Sequence, residues 1–396
     1  MSTDRLLFAA AVLLTVTAAA IGVAHRLKLG SIGALLVVGI VLGPHSPMPL
    51  LTSHLSDLQA LGEIGVMLLI FIVGLDTQPG MLWSMRNWVL GFGSIEYLAA
   101  SVAIAVFLLV VSKVNWQSAM VIGLGLAMSS SAVPLPILEA RREVTTAHGR
   151  LTIAADVFQG FMLVPVLALI PLLGKSSWSV GNAMPAAAAL QVCAALAGVF
   201  LLGRVLVPLA IRSTLRDMGS GGVALVVLAG VFAAGWIMEK VGVSAALGAF
   251  LTGVLLSTSR HSTQVNAAVT PARRILMGVF FVAVGMAIDL HEVAAFRAEL
   301  LFYVSAVLVI KLGVVYWVAR AFRVDRYSAL LGGLLLMPLD EIGYVIFASA
   351  HRHGLLAERG YALALLSISA SFLVSPLAID LGFRWAPRLK APPATA

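Results

Sequence analysis

Long apolar runs alternate with short breaks rich in Pro, Gly or charge from one end of the chain to the other. Read as helices, thirteen runs fit: roughly 5–24, 28–43, 58–75, 88–111, 117–138, 151–173, 184–211, 222–239, 243–257, 274–290, 300–319, 327–350 and 360–383. The breaks fall at turn-forming positions such as Gly43-Pro44, Gln78-Pro79-Gly80 and Gly174-Lys175. Most runs reach the ~20 residues that span a bilayer core. The second and ninth, about 15–16 residues each, must stand steeply or end in the headgroups. Leu6–Ala24 is long enough to span and more spans follow at once, so it reads as a first transmembrane helix, not a signal peptide. The pattern predicts an all-α polytopic membrane protein.

Composition agrees. Hydrophobic residues make up 60% of the 396 and charged residues 11%, which excludes a soluble globular chain. A single cysteine, Cys193, excludes a disulfide framework and a cysteine metal cluster. With no phosphate loop, HExxH motif or zinc-ligand spacing, neither an enzyme nor a cofactor is expected. The net charge of +8 does not point to nucleic acid, because the basic residues sit in short loops between spans. Alternate loops carry seventeen Lys and Arg against seven, with Arg204 and Lys311 left inside spans. The positive-inside rule places the richer set in the cytoplasm. The N-terminus is then outside and the C-terminus inside, as an odd number of spans requires, and the location is the cytoplasmic membrane.

The features also repeat. Gly39-Ile40-Val41-Leu42 matches Gly253-Val254-Leu255-Leu256. The run Leu68–Asp76, with Gly74, matches Val279–Asp289, with Gly285. Each is followed some fifty residues later by a helix-breaking segment, Ser129–Pro134 in the fifth span and Met337–Glu341 in the twelfth. Spans 2–6, about 28–173, thus correspond to spans 9–13, about 243–383, and an offset of seven spans inverts the second set. Inverted repeats with broken helices in matching places mark secondary transporters.

The candidate chemistry lies in charges set inside apolar runs, which are costly there and usually face an ion path. Asp156 stands six residues inside Arg150, about 9 Å at ~1.5 Å per residue. Its functional reading is a carboxylate holding a cation and a proton in turn; its bland reading is a helix-entry cap. Gln159 is about one turn on. Lys311 lies mid-span and must pair or lose its proton; an Asp156–Lys311 pair opened by an entering cation is the simplest coupling device. Asp340 and Glu341 follow the second break and either line the site or cap a helix end. The hydroxyls of Ser129, Ser130 and Ser131 suit a hard cation, or bond backbone. Glu63, Asp76 and Glu96 are expected at membrane interfaces, and the histidines in loops or at span edges.

Those residues carry a family resemblance over almost the whole chain. Glu63-Ile64-Gly65-Val66, Phe71–Leu75, Ala127–Ala132, Phe158-Gln159, Leu247–Gly253, Phe280–Met286 and Glu341 together resemble the monovalent cation:proton antiporter-2 family, and within it the Kef-type potassium/proton antiporters. The resemblance implies two crossed broken helices in a core domain beside a dimerisation domain, an elevator motion and a homodimer. It gives Lys311 the role of the basic residue facing the ion site, and Glu341 that of the acidic residue after the second break. Members of this type read Phe-Gln-Asp where this chain reads Phe158-Gln159-Gly160, so the expected carboxylate is missing. Asp156, one turn earlier on the same face, is the candidate to replace it. Such members also carry a cytosolic regulatory domain. Here residues 1–396 are expected to be one transmembrane antiporter-type domain without one.

The sequence therefore predicts a transporter exchanging K+ or Na+ for H+, with Asp156, Lys311, Gln159, Asp340, Glu341 and Ser129–Ser131 at the site and the cation at Asp156. An uncoupled ion pathway is the alternative that the glycine at 160 favours. An organic-anion symporter or sensor is another, since a fold hosts several functions.

Overall fold

A computed structural model describes residues 31–43, 67–77, 85–131, 133–174, 186–217, 219–241, 243–286 and 297–385, with isolated positions elsewhere. Among them there is no β-strand; every named element is helical. The first expected span, 5–24, falls outside the described residues apart from a few positions. The chain divides into two compact units, Met1–Pro79 with Leu167–Glu292 and Gly80–Val166 with Val293–Ala396.

The first unit holds α1 (Ser31–Leu42) and α2 (Met67–Asp76). Its other helices follow the segment 80–166, which belongs to the second unit. The later helices are α7 (Ala186–Leu201), continued through a π-helical turn at Leu202–Leu206 into α8 (Val207–Asp217), then α9 (Gly219–Lys240), α10 (Ala245–Ser257) and α11 (Ser262–Met286). Val223, Val227 and Val231 recur every fourth residue down α9 and pack with Leu68, Phe71, Val207 and Ile211 in one apolar cluster.

The paired glycines of the sequence repeat explain how this unit closes. A Cβ added at Gly39 would stand 2.7 Å from Gly285 Cα, and one at Gly253 would stand 2.9 Å from the Gly74 carbonyl carbon. Gly39 thus meets the partner of Gly74, and Gly253 meets Gly74 itself. Only residues without a side chain let helices cross backbone to backbone in this way. Two matched segments, each packed on the other's counterpart, form the reciprocal contact that a two-fold repeat produces.

The second unit contains α3 (Ser94–Val111), led by the π-helical segment Asn87–Gly93, then α4 (Trp116–Ala127), α5 (Pro134–Arg141) and α6 (Ala147–Leu173) as far as Val166. It is completed by α12 (Arg297–Ala321), α13 (Arg326–Leu335), α14 (Ile342–Arg352) and α15 (Glu358–Trp385). The breaks expected in the fifth and twelfth spans separate α4 from α5 and α13 from α14.

Among the described residues six helices are long and apolar enough to cross a bilayer, with shorter apolar helices at Met67–Asp76, Trp116–Ala127 and Ala245–Ser257. Where they fall on described residues, expected boundaries hold to within a few residues except at the end of the seventh span, where the helix runs on from 211 to Asp217, and at the tenth. There α11 starts at Ser262, well before 274. Val265 and Val269, one turn apart, are both buried, so the polar Ser262–Thr270 stretch is an amphipathic helix. Hydropathy marks membrane depth and does not mark where a helix begins.

Candidate functional site

The two broken helices of the second unit are built alike. Before α4, Lys113 adopts a left-handed φ of 50° and Asn115 caps the helix by accepting from Ser118 N at 2.7 Å. Before α13, Arg323 adopts φ 61° and Asp325 accepts from Ser328 N at 2.9 Å. Left-handed backbone is uncommon outside glycine; its recurrence just before matching caps shows one design used twice. Pro134 sits in the first turn of α5, where a missing N–H costs nothing.

The breaks join one another. Ser129 and Leu339 form an isolated antiparallel bridge, and Ser130 N donates to Pro338 O at 3.1 Å. Ser129 Oγ donates to the Leu336 carbonyl at 2.7 Å, and Ser130 Oγ to Glu341 Oε2 at 2.8 Å. The backbone groups that the breaks expose are thereby bonded across the junction, as chain at membrane depth requires. Both serines are buried, and Ser131 is half-buried.

Lys311, fully buried on α12, completes the junction. Its Nζ donates to the Met128 carbonyl at 2.7 Å, just past the last residue of α4. An ammonium suits the negative end of a half-helix. The carboxylates whose charges act on it are Glu96 first and then Asp340.

Gln159, buried on α6, links this junction to α3. Its Oε1 accepts from Ser129 N at 2.7 Å while its Nε2 donates to Glu96 Oε2 at 3.1 Å. Asp340 is buried, accepts from Ile342 N at 2.8 Å and so caps the second half-helix, α14. It also feels the charges of Glu341, Asp156 and Lys311. Asp156 is half-buried on α6. The eight residues named from the sequence therefore gather in one unit around one junction. Asp340 fills the capping role weighed for it and remains within the charge cluster. Ser129 takes the backbone-bonding reading, its hydroxyl donating to Leu336.

One assignment is corrected. Glu96 was expected at an interface, yet it is completely buried and bonded to Gln159. Its signal was visible: a carboxylate inside an apolar run, the same mark that singled out Asp156. Glu96 lies in the first turn of α3, directly after the π-helical segment Asn87–Gly93. Glu96 also acts on Lys311 through its charge. Asp76 is exposed at the end of α2, and Glu63 lies outside the described residues. His148 stands at a helix start, as expected for a span edge, but it is buried and bonded to Glu143 at 2.9 Å.

Comparison with known proteins gives the family. The family model described as "Sodium/hydrogen exchanger, transmembrane" covers residues 11–385. The chain belongs to this family. It is 33% identical over 379 residues to the glutathione-regulated potassium-efflux system protein KefC of Enterobacter sp. strain 638, covering 95% of this chain and 60% of that protein. It is 33% identical over 355 residues to KefC of Escherichia coli K12, covering 90% of this chain and 57% of that protein. The chain thus spans about three fifths of the length of these relatives, and the Kef-type resemblance read from the sequence holds. Among solved structures, the sodium proton antiporter MjNhaP1 of Methanocaldococcus jannaschii superposes with a TM-score of 0.70 at 17% identity, covering 97% of this chain and 98% of that one. That likeness is one of fold. This member of the exchanger family is a multi-pass membrane protein.

Proposed function

We propose that the protein exchanges a monovalent cation for protons across the cytoplasmic membrane, with K+ as the foremost candidate and Na+ as the second. The observation that carries this reading is the junction itself, where a buried ammonium seated on a half-helix end shares one unit with Glu96, Asp156, Asp340 and Glu341. Two features support the cation as cargo: carboxylates outnumber the lysine, and the helix end beside Lys311 is negative. The names of its relatives, a potassium-efflux protein at 33% identity and a sodium proton antiporter of like fold, support the class.

In this reading Asp156 holds a cation and a proton by turns, and Lys311 balances the site when no cation is present. Ser129–Ser131, Gln159, Asp340 and Glu341 line or brace it. Exchange follows from competition: a ligand shifts a site only by its differential affinity, and one carboxylate cannot hold both ions at once. Turnover by elevator-type alternating access in a homodimer, with the N-terminus outside and the C-terminus in the cytoplasm, completes the proposal.

The test is dissipation of a preformed pH gradient in proteoliposomes on adding K+, Na+ or an impermeant organic cation. Exchange predicts dissipation by K+ or Na+ and none by the organic cation. A conductance that collapses a potential without moving protons would replace this reading by the uncoupled pathway that the glycine at 160 favours.

A further inference from the structure

Glu96 is a buried carboxylate that the sequence reading leaves without a task. Its side chain has no solvent exposure. Oε2 accepts from Gln159 Nε2 at 3.1 Å. Oε1 is sealed from solvent and has no hydrogen-bond partner among the described residues. A buried acceptor left unmet is costly, and more so when it belongs to a charge. A proton removes the carboxylate's charge, and a cation supplies the partner that Oε1 lacks.

Its surroundings are those of the ion site. Lys311 faces it from α12, Gln159 from α6, and its own helix adds Tyr97, whose hydroxyl donates to Leu124 O at 3.1 Å. Asp340 acts on the same lysine, with Asp156 and Glu341 beyond it. The π-helical segment Asn87–Gly93 ends one residue before α3, and such segments concentrate at functional positions. Gln159 holds Glu96 on one side and the Ser129 amide of the first break on the other. The next residue is Gly160, which brings no side chain to the site.

We propose that Glu96 is an ion-coupling carboxylate of this exchanger, supplying from α3 the charge that Gly160 does not supply from α6. The inference rests on the exchange reading above. The step is balanced: a cation binds at the ionised Glu96 carboxylate as its proton leaves, one for one, and the proton returns when the cation departs. Lys311 sets the charge against which this happens, and Gln159 orients the carboxylate without taking part.

The test separates Glu96 from the exchange reading by measuring binding as well as transport. The full chain in detergent is titrated with K+ and with Na+ by calorimetry in two buffers of different ionisation enthalpy, which counts protons released per cation bound. Wild type is expected to release protons. Glu96→Gln, which keeps the shape and a partner for Gln159, is expected to lose that release at least several-fold and to lose gradient dissipation in proteoliposomes. Glu96→Asp, which keeps the charge, is expected to retain both in part, so a fold lost in one variant is told from a charge lost. Unchanged proton release in Glu96→Gln overturns the proposal, as does wild type that binds cation with no proton released. Glu96-dependent proton release without transport by the wild type would uphold Glu96 and defeat the exchange reading instead.

Discussion

Lys311 shows what a single residue contributes here. An ammonium removed wholly from solvent is expensive, and a buried hydrogen bond from a charged group typically contributes ~1.5–3 kcal/mol. Lys311→Ala would free the Met128 carbonyl and remove a positive charge that acts on Glu96. It is expected to lower unfolding stability by about that amount, read as a large drop in melting temperature in detergent, and to abolish exchange. A loss under 1 kcal/mol would show that the lysine is not held by these partners. Gln159→Leu is a milder case. It removes the acceptor of the Ser129 amide and the donor to Glu96, so a cost of ~1–3 kcal/mol is expected, with weakened exchange. The site was legible at this scale wherever a charge interrupted an apolar run, as at Asp156 and Lys311. Glu96 bears the same mark close to a span start, and its burial comes from the Gln159 side chain far along the chain, which hydropathy does not report.

The helices explain why the site can exist at membrane depth. Two half-helix pairs with the same left-handed basic residue and the same side-chain cap meet at an antiparallel bridge. Removing a cap costs ~1 kcal/mol, so Asn115→Ala and Asp325→Ala are expected to destabilise to a similar degree, each measured by denaturant or thermal unfolding. Asp325 adds a pH dependence. Partial burial alone would raise its carboxyl, but hydrogen bonds from the Ser328 N–H and neighbouring groups outweigh that and hold it below the ordinary value of 3.8. A carboxyl lowered by folding stabilises fully above 3.8 and loses that contribution as pH falls through its lower folded value. Asp325→Asn, which can still cap, should therefore lose less stability than wild type between neutral and strongly acid pH. Equal losses would contradict it. The breaks were visible from Pro134, Pro136 and Pro338. Their bonding to each other was not, since Ser129 Oγ to Leu336 O is a contact between residues far apart in the chain.

At the scale of the whole molecule, the repeat is read from the order of features more than from identity. Gly39, Gly74, Gly253 and Gly285 matched weakly as sequence, and the structure gives the reason for keeping them: each pair crosses where a side chain would collide with backbone. Gly253→Val is expected to cost at least the ~1–3 kcal/mol of overpacking, visible as poor recovery of folded protein, whereas Gly221→Val, which meets no atom within 4 Å, is expected to be tolerated. The charge bias of the loops makes a topological prediction. With Cys193→Ser removing the single native thiol, a cysteine introduced by Arg388→Cys should react with membrane-impermeant reagents only from the cytoplasmic side; labelling from outside would invert the assigned orientation. The amphipathic start of α11 was missed, because apolar runs report the lipid and a helix can extend beyond it.

The central claim is that cation and proton compete for one site. The most direct measurement is the apparent KM for K+ and for Na+ in proteoliposomes across a range of pH on the cation side. Competition predicts that KM rises as pH falls, approaching about tenfold per pH unit as linkage of one proton to one cation requires, with the maximal rate unchanged. A KM flat across pH, with the maximal rate alone varying, would contradict the account.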